Sequence, residues 1–211
     1  MPHDFRMSLT EIHRQMVEGL LRRPSFAGAC PLCKRPNCAK FLGNYHRTVV
    51  TEDGTRINKF PVFRYQCTAQ RRKLGQHRTF SLLPAPLIPY RRPSQHFVMA
   101  VMKIWSDAQL TLDLRLERIS HLFAAGSAAE TLGTSHGYDY AGLLLETGQK
   151  LSLWKGIPFA NLTQIVNWIV AYSGGAVALS LDYYAAHGSF KQNSQFLFGT
   201  PSQFRGRPRS P

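Results

Sequence analysis

The sequence predicts an α+β protein in which a small β-hairpin module precedes an all-α region with a helix-turn-helix candidate. Three observations carry this expectation. Two runs rich in Val, Thr, Tyr and Phe, residues 41–51 and 56–67, flank Glu52-Asp53-Gly54-Thr55, whose Asp-Gly step suits a tight hairpin turn. All four cysteines, Cys30, Cys33, Cys38 and Cys67, fall around that hairpin. From Ser94 onward the apolar residues change to helical spacing.

The chain begins with Ser8 and Glu11 in a capping-box pattern, followed by Ile12, Met16, Leu20 and Leu21 at helical intervals. This predicts a helix over 9–22, ended by Pro24, within an N-terminal segment 1–27. Pro, Gly and Cys then crowd residues 24–38, and the hairpin follows. Pro61 inside the second run predicts an edge strand or a bulge, because proline has no N–H to give to a ladder. Residues 79–83, bounded by Pro84, Pro86 and Pro89, complete a three-stranded sheet, and the whole module is expected to occupy 28–92.

Within 93–198 the pattern is helical. Phe97, Val98, Val101, Met102 and Trp105 share one face, and Leu112, Leu116, Ile119 and Phe123 share the next. Ala125-Gly126 breaks the pattern and Ser127 with Glu130 offers a second capping box, so a recognition helix is expected near 128–147. Helices are further expected over about 139–147, 160–172 and 176–187. The tail 199–211 is rich in Pro and Arg and is expected to be disordered, although its arginines suit a nonspecific phosphate arm.

Composition points to a partner. In 211 residues, 26 Lys and Arg stand against 12 Asp and Glu, a net charge of +14. Between Cys30 and Arg92 alone there are 13 basic residues against Glu52 and Asp53, a local charge of +11. Such a field attracts polyanions and releases counterions from each phosphate it neutralises, so nucleic acid is the first partner to consider. A basic surface that only aids solubility is the bland alternative. With 44% hydrophobic residues the chain has material for a core. Residues 157–181 carry no charge, but Asn161, Thr163, Gln164, Asn167 and Gly174-Gly175 fit two buried helices with a turn better than a membrane span. Residues 1–4 do not open a secretory signal, and a cytoplasmic protein without membrane attachment is expected.

The cysteine spacing suggests a metal. Cys30-Pro-Leu-Cys33 is a C-x2-C knuckle that presents two thiolates from one turn, and the returning strand supplies Cys67. Two residues compete for the fourth place. Cys38 would give four thiolates, whereas His77, ten positions beyond Cys67, would give a Cys3His set. A hairpin of this size buries too little to fold alone, so a structural Zn2+ would supply what its core lacks. Buried, unligated cysteines acting as small hydrophobes are the alternative.

Around these cysteines lie Tyr45-His46-Arg47, Phe63-Arg64-Tyr65-x-Cys67, the block His77-Arg78-Thr79-Phe80-Ser81-Leu82-Leu83-Pro84, and Leu87-Ile88-Pro89-Tyr90. Together with Cys-Pro-Leu-Cys-x4-Cys they resemble a bacterial zinc-ribbon domain of uncharacterised function, itself similar to the DNA-binding front ends of insertion-sequence transposases. The resemblance spans about residues 28–106 and implies a zinc-dependent recognition module or mobile-element regulator. One departure matters: the second knuckle of such ribbons is a short C-x2-C, but here residues 68–76 separate Cys67 from His77, so the fourth ligand stays open.

If nucleic acid binds, double-stranded DNA being the expected form, phosphates should be held by Arg47, Arg64, Arg71, Arg72, Lys73, Arg78, Arg91 and Arg92. Tyr45, Phe63, Tyr65 and Tyr90 are interleaved with them and suit core better than base stacking. No enzyme is expected. Asp107, Asp113, Glu117, Glu130, Asp139, Glu146 and Asp182 read as caps or solvated faces, not as a converging catalytic set. A protein–protein adaptor using the helical half, with the ribbon as scaffold, is the competing reading.

Overall fold

The structure is a computed structural model that describes residues 2–3, 7–21, 30, 32–33, 35–69, 79–89, 91–123, 125–187 and 197–198. It has the expected α+β architecture: a sheet built on a long hairpin, then a helical region. The strands are β1 (Pro2–His3), β2 (Ala39–Val50), β3 (Arg56–Cys67) and β4 (Thr79–Pro84), in the order β1-β4-β3-β2. β2–β3 and β3–β4 are antiparallel, and the two-residue β1 joins β4 in parallel. The helices are α1 (Leu9–Val17), α2 (Gln95–Trp105), α3 (Leu112–Ser120), α4 (Thr134–Lys155), α5 (Leu162–Ala171) and α6 (Gly175–His187), with a 3-10 turn at Ala128–Thr131.

Alternation along β3 serves two clusters, because successive side chains leave opposite faces of a strand. Phe60 and Val62 join Leu9, Ile12, Val49, Leu83 and Leu87 beneath α1, whereas Phe63, Tyr65 and Cys67 join Cys30, Cys38, Phe80 and Leu82. Phe63 and Tyr65 are therefore core, as expected, with Tyr65 stacked on Phe80 at 5.6 Å. The third and largest cluster belongs to the helices and is centred on Phe97, Met102, Leu143, Leu144, Leu151, Ile169 and Leu179. It also takes in Val50 and Ile88, so the hairpin end of the sheet is built into the helical core.

Several expectations need correction. α1 stops at Val17 rather than near residue 22, because the chain turns at Gly19 (φ +71) well before Pro24. Ser8 does cap it, accepting from the Glu11 N–H at 3.1 Å, but the Glu11 carboxylate turns to Arg14 and Gln15. For Pro61 it is the bulge, not the edge, that is found: β3 is a central strand in which Asn58 and Lys59 together oppose Thr48. β4 pairs with β3 only across Phe63–Gln66, so Pro61 sits beyond that ladder, opposite His46 and next to a bulge at Arg47/Val49. In the hairpin turn only Gly54 has positive φ (+80), and the turn closes through Gly54 N–H to Thr51 O at 3.2 Å.

The helix expected near 128–147 is present but starts later, at Thr134. Ser127 and Glu130 form their caps, accepting from Ala129 N–H and Gly126 N–H at 3.3 and 2.7 Å, but around a single 3-10 turn. The chain extends at Leu132–Gly133 and the long helix begins only at Thr134, running through 139–147 to Lys155 and ending at Gly156 (φ +70). Gly137 is needed there: a Cβ would lie 2.4 Å from the Trp105 ring, so its absence lets α4 close on α2.

The hairpin tip is docked, not free. Gly54 O accepts from the Ala128 N–H at 2.8 Å, and the Glu52 carboxylate accepts from Leu9 N–H at the start of α1 at 3.2 Å. α5 and α6 meet at 90° across Gly174-Gly175, close to the expected pair. Among the described residues no single helix is long and apolar enough to cross a membrane, although this bent pair would pass by length and composition together.

Candidate metal centre

The cysteines converge where the sheet is farthest from its turn. Cys67 ends β3 opposite Ala39, the first residue of β2, and Cys38 immediately precedes that strand. Thr68 N–H and Thr68 Oγ1 both reach Cys38 O at 2.9 Å, locking the two strand ends together. On the knuckle side, Arg35 O accepts from the Cys30 N–H at 2.9 Å and from the Cys38 thiol at 3.5 Å. Asn37 turns the chain between them with φ +56, a value asparagine tolerates better than most side chains.

All four sulfurs lie within 4.8 Å of one another, with Cys33–Cys38 at 3.0 Å and Cys38–Cys67 at 3.8 Å. Four thiolates about 2.3 Å from a central ion would stand about 3.8 Å apart at the corners of a tetrahedron. The longer separation already matches, and the shorter one would open by less than an ångström. These distances also exceed an S–S bond of about 2.05 Å, and none of the four cysteines is in a disulfide. Cys30, Cys38 and Cys67 are buried and Cys33 is half-buried, so the centre is closed on most sides. The four cysteines can thus hold a metal ion, with Cys38, one of the two candidates for the fourth place, within reach of the other three. His77 lies outside the described residues.

The electrostatics suit a cation. Burial raises the Cys33 thiol, but hydrogen bonds from Cys38, the Arg35 backbone, Cys67 and Cys30 outweigh it and bring the group down to about 7. Cys38 moves the opposite way: burial, then its bonds to Cys33, Cys30 and Cys67, push it up. One thiolate thus forms readily while its neighbour keeps a proton, since several negative charges this close repel in a dry site. A divalent ion removes that conflict by ionising all of its ligands.

The basic residues divide into groups. Arg71, Arg72, Lys73, Arg78 and Tyr90 lie outside the described residues. Arg64 is exposed on β3 and reaches Thr79 Oγ1 at 3.0 Å. Arg47 is half-buried, its guanidinium approaches Ile88 O at 3.5 Å, and burial lowers its pKa. Arg91 is half-buried and paired with Asp139 at 3.3 Å, whereas Arg92 is exposed. Arg56, passed over as a contact residue by the sequence reading, is exposed at the start of β3 and shares a cleft with Arg91 and Arg92. The only sequence signal for it was its place next to the turn.

Comparison with protein-family models, with curated proteins and with solved structures finds no match for this chain.

Proposed function

We propose that the protein binds nucleic acid, in the first instance duplex DNA, through a basic face held rigid by a structural zinc ion in the four-cysteine centre. The observation that carries this reading is the convergence of four thiols from a knuckle and two strand ends within 4.8 Å, at the root of a hairpin dense in Lys and Arg. Zinc suits an all-thiolate tetrahedral set, and four protein ligands leave no open position, so the ion stabilises the fold and activates no water. The role is recognition rather than catalysis, as in a transposase-like front end or a mobile-element regulator.

Phosphate contacts belong on the sheet side more than on α4. Lys150 is tied to Glu146 at 3.3 Å and to Leu197 O at 3.3 Å, so the long helix offers few cations to a groove. The adaptor reading keeps one observation in its favour: Tyr138, Leu145 and Leu153 are 66, 47 and 90% exposed at near-heptad intervals along α4.

Electrophoretic mobility shift of the zinc-loaded protein on a mixed-sequence duplex, across a salt series, tests the proposal. Affinity should fall steeply and log-linearly with salt. Arg64→Gln should weaken binding and shallow the salt slope, whereas Arg47→Gln should lower Tm with little effect on the slope. Absence of binding at low salt, with zinc bound stoichiometrically, would reject the nucleic-acid role and leave the adaptor reading.

A further inference from the structure

We propose that the cleft between the turn end of the hairpin and α4 binds a nucleoside phosphate, free or as an unpaired residue of a strand. This deepens the proposed function, since it assigns the ligand's chemical class to a particular part of the basic face.

The cleft has a volume of about 780 Å³, within the range of small-ligand sites. Its basic wall is organised by Val50. Arg56 pairs across the ladder with Val50 on one side, and on the other Val50 N–H donates to Arg92 O while Ser94 N–H donates to Val50 O, both at 2.8 Å. Backbone bonds to one residue therefore bring two arginines, 36 positions apart in sequence, to the same cleft.

Charge accounting favours an anion. Two carboxylates line the cleft, and each has a cation: Asp139 takes Arg91 at 3.3 Å and Glu146 takes Lys150 at 3.3 Å. Arg56 and Arg92 have no ion-pair partner among the described residues. Two arginines without an ion-pair partner lining one cavity are the residue type that grips a phosphate through paired N–H groups.

The opposite wall suits a base. Tyr138 lines the cleft from the first turns of α4 and is 66% exposed, while its ring is held edge-on against Trp105 at 5.4 Å. An aromatic face packed in this way can stack on a nucleobase, and the buried Phe97 and Leu143 add apolar lining to the same cleft. Cations on one wall and an aromatic ring on the other are the two parts a nucleotide needs. A plain phosphate would use only the first.

The test is calorimetric titration of the full-length, zinc-loaded protein with dAMP, deoxyadenosine, inorganic phosphate and a short oligo(dA), with the duplex shift assay run in parallel. In wild type, dAMP or oligo(dA) should bind more tightly than phosphate or deoxyadenosine alone. Arg56→Gln and Arg92→Gln should each weaken that binding about tenfold or more. Tyr138→Leu should remove the advantage of the base while sparing phosphate, and Lys103→Gln, exposed on α2 and outside the cleft, should leave dAMP binding unchanged. Binding of dAMP marks a free-nucleotide site, and binding of oligo(dA) alone marks a strand site. If neither binds, or if both arginine variants bind as wild type does, the inference is overturned. Retention of duplex binding in that case shows that the cleft assignment has failed and the nucleic-acid role has not.

Discussion

Removing the metal should soften the sheet from one end only. Among the described residues, the cluster around the four sulfurs contains, besides the cysteines, Phe63, Tyr65, Phe80 and Leu82 as buried side chains. At about 1.5–3 kcal/mol for each fully buried large side chain, they contribute roughly 6–12 kcal/mol before any entropy is charged. A structural zinc contributes about 10–16 kcal/mol at neutral pH, as much as all four together. At the other end, Val50 sits in the helical core and Gly54 is bonded to Ala128. Chelation should therefore expose amides near Ala39–Cys67 to rapid hydrogen exchange while those near Val50–Arg56 stay protected. All three tryptophans, Trp105, Trp154 and Trp168, belong to the helical core, so their fluorescence reports that half separately and should barely change. Exchange resolved by mass spectrometry, with and without chelator, decides the matter. Uniform loss of protection along the hairpin would refute the two-anchor argument, and unchanged protection at the cysteine end would refute a metal's part in holding it.

Three further outcomes follow from the geometry. Cys38→Ser should lose bound zinc while His77→Ala retains it, as measured by metal analysis of the purified variants, because Cys38 already lies 3.8 Å from Cys67 and 3.0 Å from Cys33. Gly137→Ala should destabilise the helical half by about 1–3 kcal/mol, read as a Tm drop of several degrees, since the new methyl would lie 2.4 Å from the Trp105 ring. Asp53→Asn should lower Tm at neutral pH, and the deficit should close as pH falls. The Thr51 hydroxyl bonded to Asp53 holds that carboxyl below its usual 3.8, so its contribution is complete above the unfolded value and disappears as pH drops through the folded one.

The parts of the fold legible in the sequence were those written in local pattern. The alternation of Phe60, Val62 and then Phe63, Tyr65, Cys67, the Gly54 turn, and the apolar face of Phe97–Trp105 all carry their structure in their spacing. The cysteine centre was legible for the same reason, but choosing Cys38 required knowing that Asn37 turns the chain back beside Cys67. What stayed hidden was non-local. Ser127 and Glu130 do cap, yet the Gly54 carbonyl captures Ala128 and the segment becomes one turn of 3-10 helix instead of a long α-helix. Arg47 carries the same charge as Arg64, and only the tertiary approach of Ile88 separates a half-buried arginine from an exposed one.

The docked turn has a practical consequence for anyone who handles this chain. Hairpin tips are ordinarily the places that tolerate an epitope tag, a cleavage site or a circular-permutation break. Here residues 52–54 are gripped by Leu9 and Ala128, and a Cβ on Gly54 would stand 3.0 Å from Ser127 Cβ, so lengthening that tip would pry the two halves apart. Grafts belong instead at the exposed Ala108 and Gln109 between α2 and α3, ahead of Thr111, which caps α3.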